Sequence, residues 1–110
     1  MRITQMNIKE LLSRYSAGQR DFRDITLIAA NLRNVNLSGV NLSGADLRGV
    51  NLTRANLSYA NLTNVRLQGA NLTETNFIAA NLTGVDLNGI DVSQTNLSRA
   101  IFKESKVAVQ

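Results

Sequence analysis

The sequence predicts an all-β solenoid, and three observations carry that expectation. From residue 21 to about residue 104 one five-residue phrase repeats without a break, as in Ala30-Asn31-Leu32-Arg33-Asn34, Val35-Asn36-Leu37-Ser38-Gly39 and Ala45-Asp46-Leu47-Arg48-Gly49. The central position falls at 22 and at every fifth residue to 102, making 17 phrases, of which 13 have Leu at the centre and the others Phe22, Phe77, Val92 and Phe102. Two places before the centre stand seven Ala, five Val and two Ile, with only Arg20, Thr75 and Thr95 departing.

A period of five fits neither regular element. On an α-helix it advances each Leu by about 140° net, so the leucines spiral over the whole surface and share no face. In an unbroken strand the side chains alternate, and an odd spacing throws successive leucines to opposite sides. Both objections vanish if each phrase is a short extended segment followed by a corner: Ala/Val and Leu then point inward together and Asn/Asp points outward. Gly39, Gly44, Gly49, Gly69, Gly84 and Gly89 stand at the corner, where a type II turn needs a positive φ, and Asn34 and Asn64 tolerate that conformation next best. Such repeats bury an apolar face only by stacking on one another.

The phrases closely resemble the A(D/N)LXX pattern of the pentapeptide-repeat family, over about three quarters of the chain. The resemblance implies a right-handed quadrilateral β-helix with four phrases to a coil, hence about four coils here. Equivalent residues then lie 20 apart. That register stacks Phe22, Leu42, Leu62, Leu82 and Phe102 in one inner column, sets Arg66 between Asp46 and Asp86, and sets Arg54 beside Glu74. Opposite charges on paired segments are favourable neighbours.

Three segments follow in order. Residues 1–19 break the phrase and predict a short N-terminal α-helical cap: Ile8, Leu11, Leu12 and Tyr15 recur at helical spacing, Asn7 is a candidate N-cap with Glu10 three places on, and Gly18 is a candidate stop. The stretch from Glu10 to Phe22 also resembles the N-terminal caps of small family members. Such a cap shields the open edge of the first coil. Residues 20–105 form the repeat body. Residues 106–110 form a C-terminal tail, with Val107 and Val109 facing one way. No helix follows to cover the last coil, which leaves two alternatives: the tail folds over the edge, or a second molecule meets it end to end as a homodimer.

Composition bounds the function. The chain has no Cys and no His, which excludes disulfides, thiolate metal sites and the commonest acid-base residue. The carboxylates are strewn along a rod without a pocket, and no phosphate loop, glycine fingerprint or metal triad occurs, so the expectation is a non-enzyme with no cofactor, no metal and no catalytic residue. The first ten residues hold no apolar run like a secretory signal and nothing is long and apolar enough to span a bilayer, which predicts a cytoplasmic address and no membrane partner. Eight Asn-Leu-Ser/Thr triplets match a glycosylation pattern, but the repeat itself writes them.

The resemblance also implies an alternative role, protection of type II topoisomerase by an acidic rod that mimics DNA. That mechanism needs a negative surface. Residues 21–105 hold seven basic and seven acidic residues; the formal net charge of +4 comes from the ends. Neutral coils argue against mimicry, and the absence of a basic stripe with stacking aromatics argues against direct nucleic-acid binding. What remains is a rigid protein-interaction scaffold or regulator with an unidentified protein partner. Ile28, Ile78 and Tyr59 are apolar residues at outward positions. Tyr59 and Ile78, one coil apart in neighbouring columns, form the candidate interaction patch.

Overall fold

The computed structural model describes residues 4–106. Of the expectations above, those for residues 1–3 of the cap and for 107–110 of the tail, including Val107 and Val109, lie outside the described residues.

β1 (Thr4–Gln5) lies parallel to β2 (Ile25–Thr26), with Thr4 opposite Ile25 and Gln5 opposite Thr26. Between them runs α1 (Ile8–Ser16). Its first turn is closed by Asn7, whose side chain accepts the Glu10 amide at 2.8 Å, and Glu10 in turn pairs with Arg14 one turn on at 2.6 Å. The helix ends at Ala17, and Gly18 follows with φ +104°. Leu11 projects from this helix into the core, fully buried, and the Tyr15 hydroxyl donates to the Ser38 carbonyl at 2.6 Å. The Arg20 guanidinium lies 3.7 Å from the centre of the Tyr15 ring.

Beyond β2 the chain pairs with itself at a constant offset of 20 residues, four phrases to a circuit. Asp21 pairs with Asn41, Asn31 with Asn51, Asn36 with Asn56, and so on in parallel to Asp86 with Lys106. Each contact is a single-residue bridge flanked by a turn, where the sequence reading expected a short extended segment. The reason is length: the corner takes three of the five residues, leaving room for one paired residue. A closed pair of phrases still makes three bonds between circuits, as when the Leu37 and Gly39 amides donate to the Asn56 and Ser58 carbonyls and the Asn56 amide donates to the Val35 carbonyl, each at 2.8 Å.

At each corner the amide three residues on donates to the carbonyl of the central residue, for example Val40 to Leu37 at 3.1 Å, and the second residue after the centre has positive φ. Glycine supplies that φ at Gly39, Gly44, Gly49, Gly69, Gly84 and Gly89. Asp24, Ala29, Arg54, Tyr59, Glu74, Ala79, Arg99 and Glu104 adopt it as well as the two asparagines. A side chain there costs on the order of 1–2 kcal/mol, tolerated because the ladder on either side over-determines the backbone.

The Asn/Asp position has a local reason that periodicity does not reveal. In all 14 phrases where it holds Asn or Asp, the side-chain oxygen turns back to accept the amide two residues on, within the same corner. The hydroxyls of Thr53, Thr63, Thr73 and Thr83 donate to the same oxygens at 2.6–2.7 Å. The side chain meant for solvent is thereby used to rigidify the turn.

Inside, Phe22, Leu42, Leu62 and Leu82 are buried in one column, and Phe102 completes it half-buried. Thr75, in an Ala/Val position, is fully buried and donates its hydroxyl to the Leu52 carbonyl at 2.8 Å, so the polar atom is satisfied without leaving the core.

Glycine columns also set spacing between circuits. A Cβ on Gly44 would fall 2.1 Å from the Asp24 carboxylate, whereas one on Gly39 would meet nothing within 4 Å. Both substitutions to alanine carry the positive-φ cost of about 1 kcal/mol, and Gly44→Ala must in addition turn the Asp24 side chain away. Chemical denaturation should therefore rank Gly44→Ala as the less stable of the two; equal stabilities would show that the close approach carries no energy.

Candidate interaction surface

Tyr59 and Ile78 occupy adjacent circuits, and the backbone joins them directly: the Tyr59 amide donates to the Ile78 carbonyl at 2.8 Å. Tyr59 stands at a corner with φ +62° and is 62% exposed. Ile78 is half-buried, less open than its outward position suggested, and its amide is held by the Asn76 side chain at 2.9 Å. Two circuits above Tyr59 is Arg99, whose guanidinium donates to the Tyr59 hydroxyl at 3.4 Å across the small side chain of Ala79. The sequence reading missed Arg99. Its signal was the 40-residue spacing, two circuits, with alanine at the intervening step.

A second missed residue is Ile101, 43% exposed in the position that Asn or Asp holds in most phrases. Ile28, 51% exposed, lies at the other end of the described body beside an open cleft of about 480 Å³ lined in part by Met6, Ile8, Leu27 and Ala30. The structure does not bring Ile28 into contact with the Tyr59 region by any hydrogen bond or pairing among the described residues.

The charges are arranged differently from the expectation. Asp46 is paired by Arg48, two residues on in its own phrase, through bonds of 2.8 and 2.7 Å, and Arg66 forms no ion pair with Asp46 or Asp86 among the described residues. The turn places residues two apart on the same outer edge, so the guanidinium reaches the carboxylate without spanning a circuit. Asp21 and Arg23 repeat the arrangement at 2.9 and 3.0 Å. The Arg54–Glu74 neighbours do meet across circuits, at 3.5 Å, with Arg54 also donating to the Asn34 side chain at 3.0 Å.

These contacts hold carboxyls below their usual range. The Arg48 hydrogen bond lowers Asp46 against a smaller opposing effect of burial, the Arg23 hydrogen bond lowers Asp21, and the Ser93 side chain and amide lower Asp91. A carboxyl depressed in the folded state adds stability above its unfolded pKa of about 4 and loses it as pH falls through the folded value. Stability should thus stay level from neutral pH to about pH 4 and decline below it. A melting temperature that rises below pH 4 would contradict the assignment.

Among the described residues no group of three or more His, Cys, Asp or Glu side chains is placed to hold a metal ion, and no helix is long and apolar enough to cross a membrane. The surface presents aromatic, aliphatic and guanidinium groups on a repetitive backbone, which suits contact with another macromolecule.

Comparison with known proteins places the chain. A family model described as pentapeptide repeats matches residues 21–58 and 60–99 in eight copies. The crystal structure of HetL, a pentapeptide repeat protein involved in heterocyst differentiation regulation from the cyanobacterium Nostoc sp. strain PCC 7120, is 35% identical with a TM-score of 0.54; the match covers 91% of this chain but 44% of HetL. The pentapeptide repeat protein alr5209 from Nostoc PCC 7120 is 32% identical, with a TM-score of 0.51 and coverage of 91% of this chain and 78% of that one. QnrB1, a plasmid-mediated fluoroquinolone resistance protein, matches at 18% identity and a TM-score of 0.58 over 79% of this chain and 43% of its own, a likeness of fold alone. A search of curated proteins returns no match. With the repeat model matching well over half of the residues, and relatives above 30% identity built on the same coil, the chain belongs to the pentapeptide-repeat family.

Proposed function

We propose that this protein is a non-catalytic interaction rod, a right-handed quadrilateral β-helix of about four coils with α1 as its N-terminal cap, that binds a protein partner through the corner built by Tyr59, Ile78 and Arg99. The 20-residue pairing interval, equal to four phrases, supports the quadrilateral coil. Burial of Leu11 and the Tyr15 bond to Ser38 support the capping role. The observation that carries the functional reading is Tyr59: an aromatic ring largely open to solvent, on a rigid corner, beside a guanidinium and a half-buried isoleucine. Tyrosine and arginine dominate the energetically decisive positions of protein interfaces because they combine large contact area with polar recognition.

The test is affinity capture from the native cell with the wild-type protein and a Tyr59→Ala, Ile78→Ser variant in parallel. Loss of a specific captured protein from the variant is expected. Retained capture by a folded variant would falsify the patch.

DNA mimicry ranks below this reading, because the coils balance seven acidic against seven basic residues. Supercoiling by DNA gyrase should be unchanged by stoichiometric protein, and protection or inhibition at that level would reverse the ranking.

An end-to-end homodimer through the C-terminal coil edge is a second partner within the same reading. Val92, Leu97, Ala100 and Phe102 are half-buried where their counterparts Leu52, Leu57, Ala60 and Leu62 are buried, and a copy meeting that edge would cover them. Light scattering that gives a monomer mass at high micromolar concentration would exclude the dimer.

A further inference from the structure

The ladder between circuits is not uniform. In steps of five from Asp21 to Asp86 the 20-residue register offers 14 bridges, and 12 of them form. The two that do not are adjacent, Arg66 with Asp86 and Asn71 with Asp91. One circuit below, the same two faces are closed: the Arg66 amide donates to Ala45 at 3.0 Å, Leu47 to Arg66 at 2.9 Å, Asn71 to Val50 at 2.9 Å and Leu52 to Asn71 at 2.9 Å. Their equivalents one circuit up are the amides of Asp86, Leu67, Asp91 and Leu72, and these make no backbone hydrogen bond among the described residues. Nor does Gly69, whose counterpart Gly49 donates to Gln68 at 2.9 Å.

The cause lies in phrase 90–94. Val92 replaces the usual Leu, so this circuit brings a smaller side chain to the core. Gln94 is the one corner residue in its position from Asp24 to Glu104 without a positive φ. The Glu74 amide consequently donates to the Gln94 carbonyl, at 3.0 Å, where the equivalent amides of Asn34 and Arg54 reach Thr53 and Thr73, a slip of one residue. The hydroxyl of Thr95 shows the same displacement. Thr75 and Ser105, in the same position of their phrases, donate to carbonyls 23 residues earlier in the circuit below, Leu52 and Leu82. Thr95 instead turns back to Val92 in its own phrase, at 2.6 Å, and leaves Leu72.

The neighbouring faces remain closed. Phe77 donates to Asn96 at 2.8 Å and Asn96 to Thr75 at 3.0 Å; Leu82 donates to Ile101 at 2.8 Å and Ile101 to Ala80 at 2.9 Å. The side chains of Leu67, Leu72 and Leu87 are still buried, so apolar packing holds the two circuits together where the backbone does not.

We propose that residues 85–94 form a flap, hinged at the closed faces on either side and poised to lift from residues 65–74. Lifting breaks no backbone hydrogen bond between the two circuits except that of Glu74, and exposes Leu67, Leu72 and Leu87. Such low-stability segments are the ones that open locally while the rest of a fold stays intact. Arg66 and Asp86 face each other in register across the opening, so closing the ladder brings opposite charges side by side.

Residue-resolved amide exchange by NMR tests this on the intact chain. After correction for intrinsic rates, the amides of Leu67, Gly69, Leu72, Asp86 and Asp91 should exchange at least about tenfold faster than those of Leu47, Gly49, Leu52, Arg66 and Asn71. A difference below about tenfold overturns the flap. The double variant Val92→Leu, Thr95→Ala restores the common phrase and should slow the same five amides by about tenfold; unchanged rates in the folded variant would overturn the assignment of the opening to phrase 90–94. The wild-type comparison stands alone if the variant does not fold.

Discussion

Replacing Leu52 by alanine should lower the unfolding free energy by about 2–5 kcal/mol. Leu52 is fully buried, and circuits lie on both sides of it, so the cavity has no free wall to collapse inward. Its carbonyl also carries two donors, the Ala55 amide at 2.9 Å and the Thr75 hydroxyl at 2.8 Å, which pin the backbone around the cavity. The matching substitution Leu97→Ala, at a half-buried position, should cost less because part of its surface is already wet. Urea denaturation followed by circular dichroism reads both. Equal costs for the two would mean that the inner column is not a continuous packed file.

The second large effect is expected at Leu11, where alanine should cost about 2–3 kcal/mol, the lower part of the range for a buried leucine. Leu11 is as inaccessible as Leu52, but it belongs to a helix joined to the body at its two ends, and a helix can settle toward a cavity more readily than a ladder of bridges. Loosening α1 also uncovers the edge of the first coil, a row of unpaired backbone groups, and exposed edges recruit other chains. Loss of stability should therefore be accompanied by concentration-dependent association in Leu11→Ala and not in Leu52→Ala. If Leu11→Ala melts like the wild type and stays monodisperse, the helix is not a cap.

Much of the candidate surface could be read from spacing, and some of it could not. Tyr59 and Ile78 were identified as neighbours because an offset of about 20 residues is a contact in any register of this coil. Arg99 was not, since recognising it required knowing that a guanidinium can pass over Ala79 to reach a tyrosine two circuits away. Ile101 departs visibly from the Asn/Asp position, yet a single apolar residue on a surface is ordinary and carries no signal until its exposure is known. The ion pairs were misread for a geometric reason. Cross-circuit neighbours were matched by charge, Arg66 with Asp46 and Asp86, while the corner puts Arg48 within reach of Asp46 first.

The amino-acid sequence alone determined the coil: a five-residue period with Leu at the centre and Ala or Val two places before excludes helix and flat strand, and steric alternation then leaves only a corner-turning stack with the leucines inside. It also determined the α1 boundary signals, Asn7, Glu10 and Gly18, because caps are local interactions of a few residues. Tertiary structure decided where the repeat gives way. Val92, Gln94 and Thr95 each look like a tolerated substitution in a periodic list; only the pairing of one circuit on the next reveals that their effects add, because a slip at one corner displaces the bonds of both faces it joins.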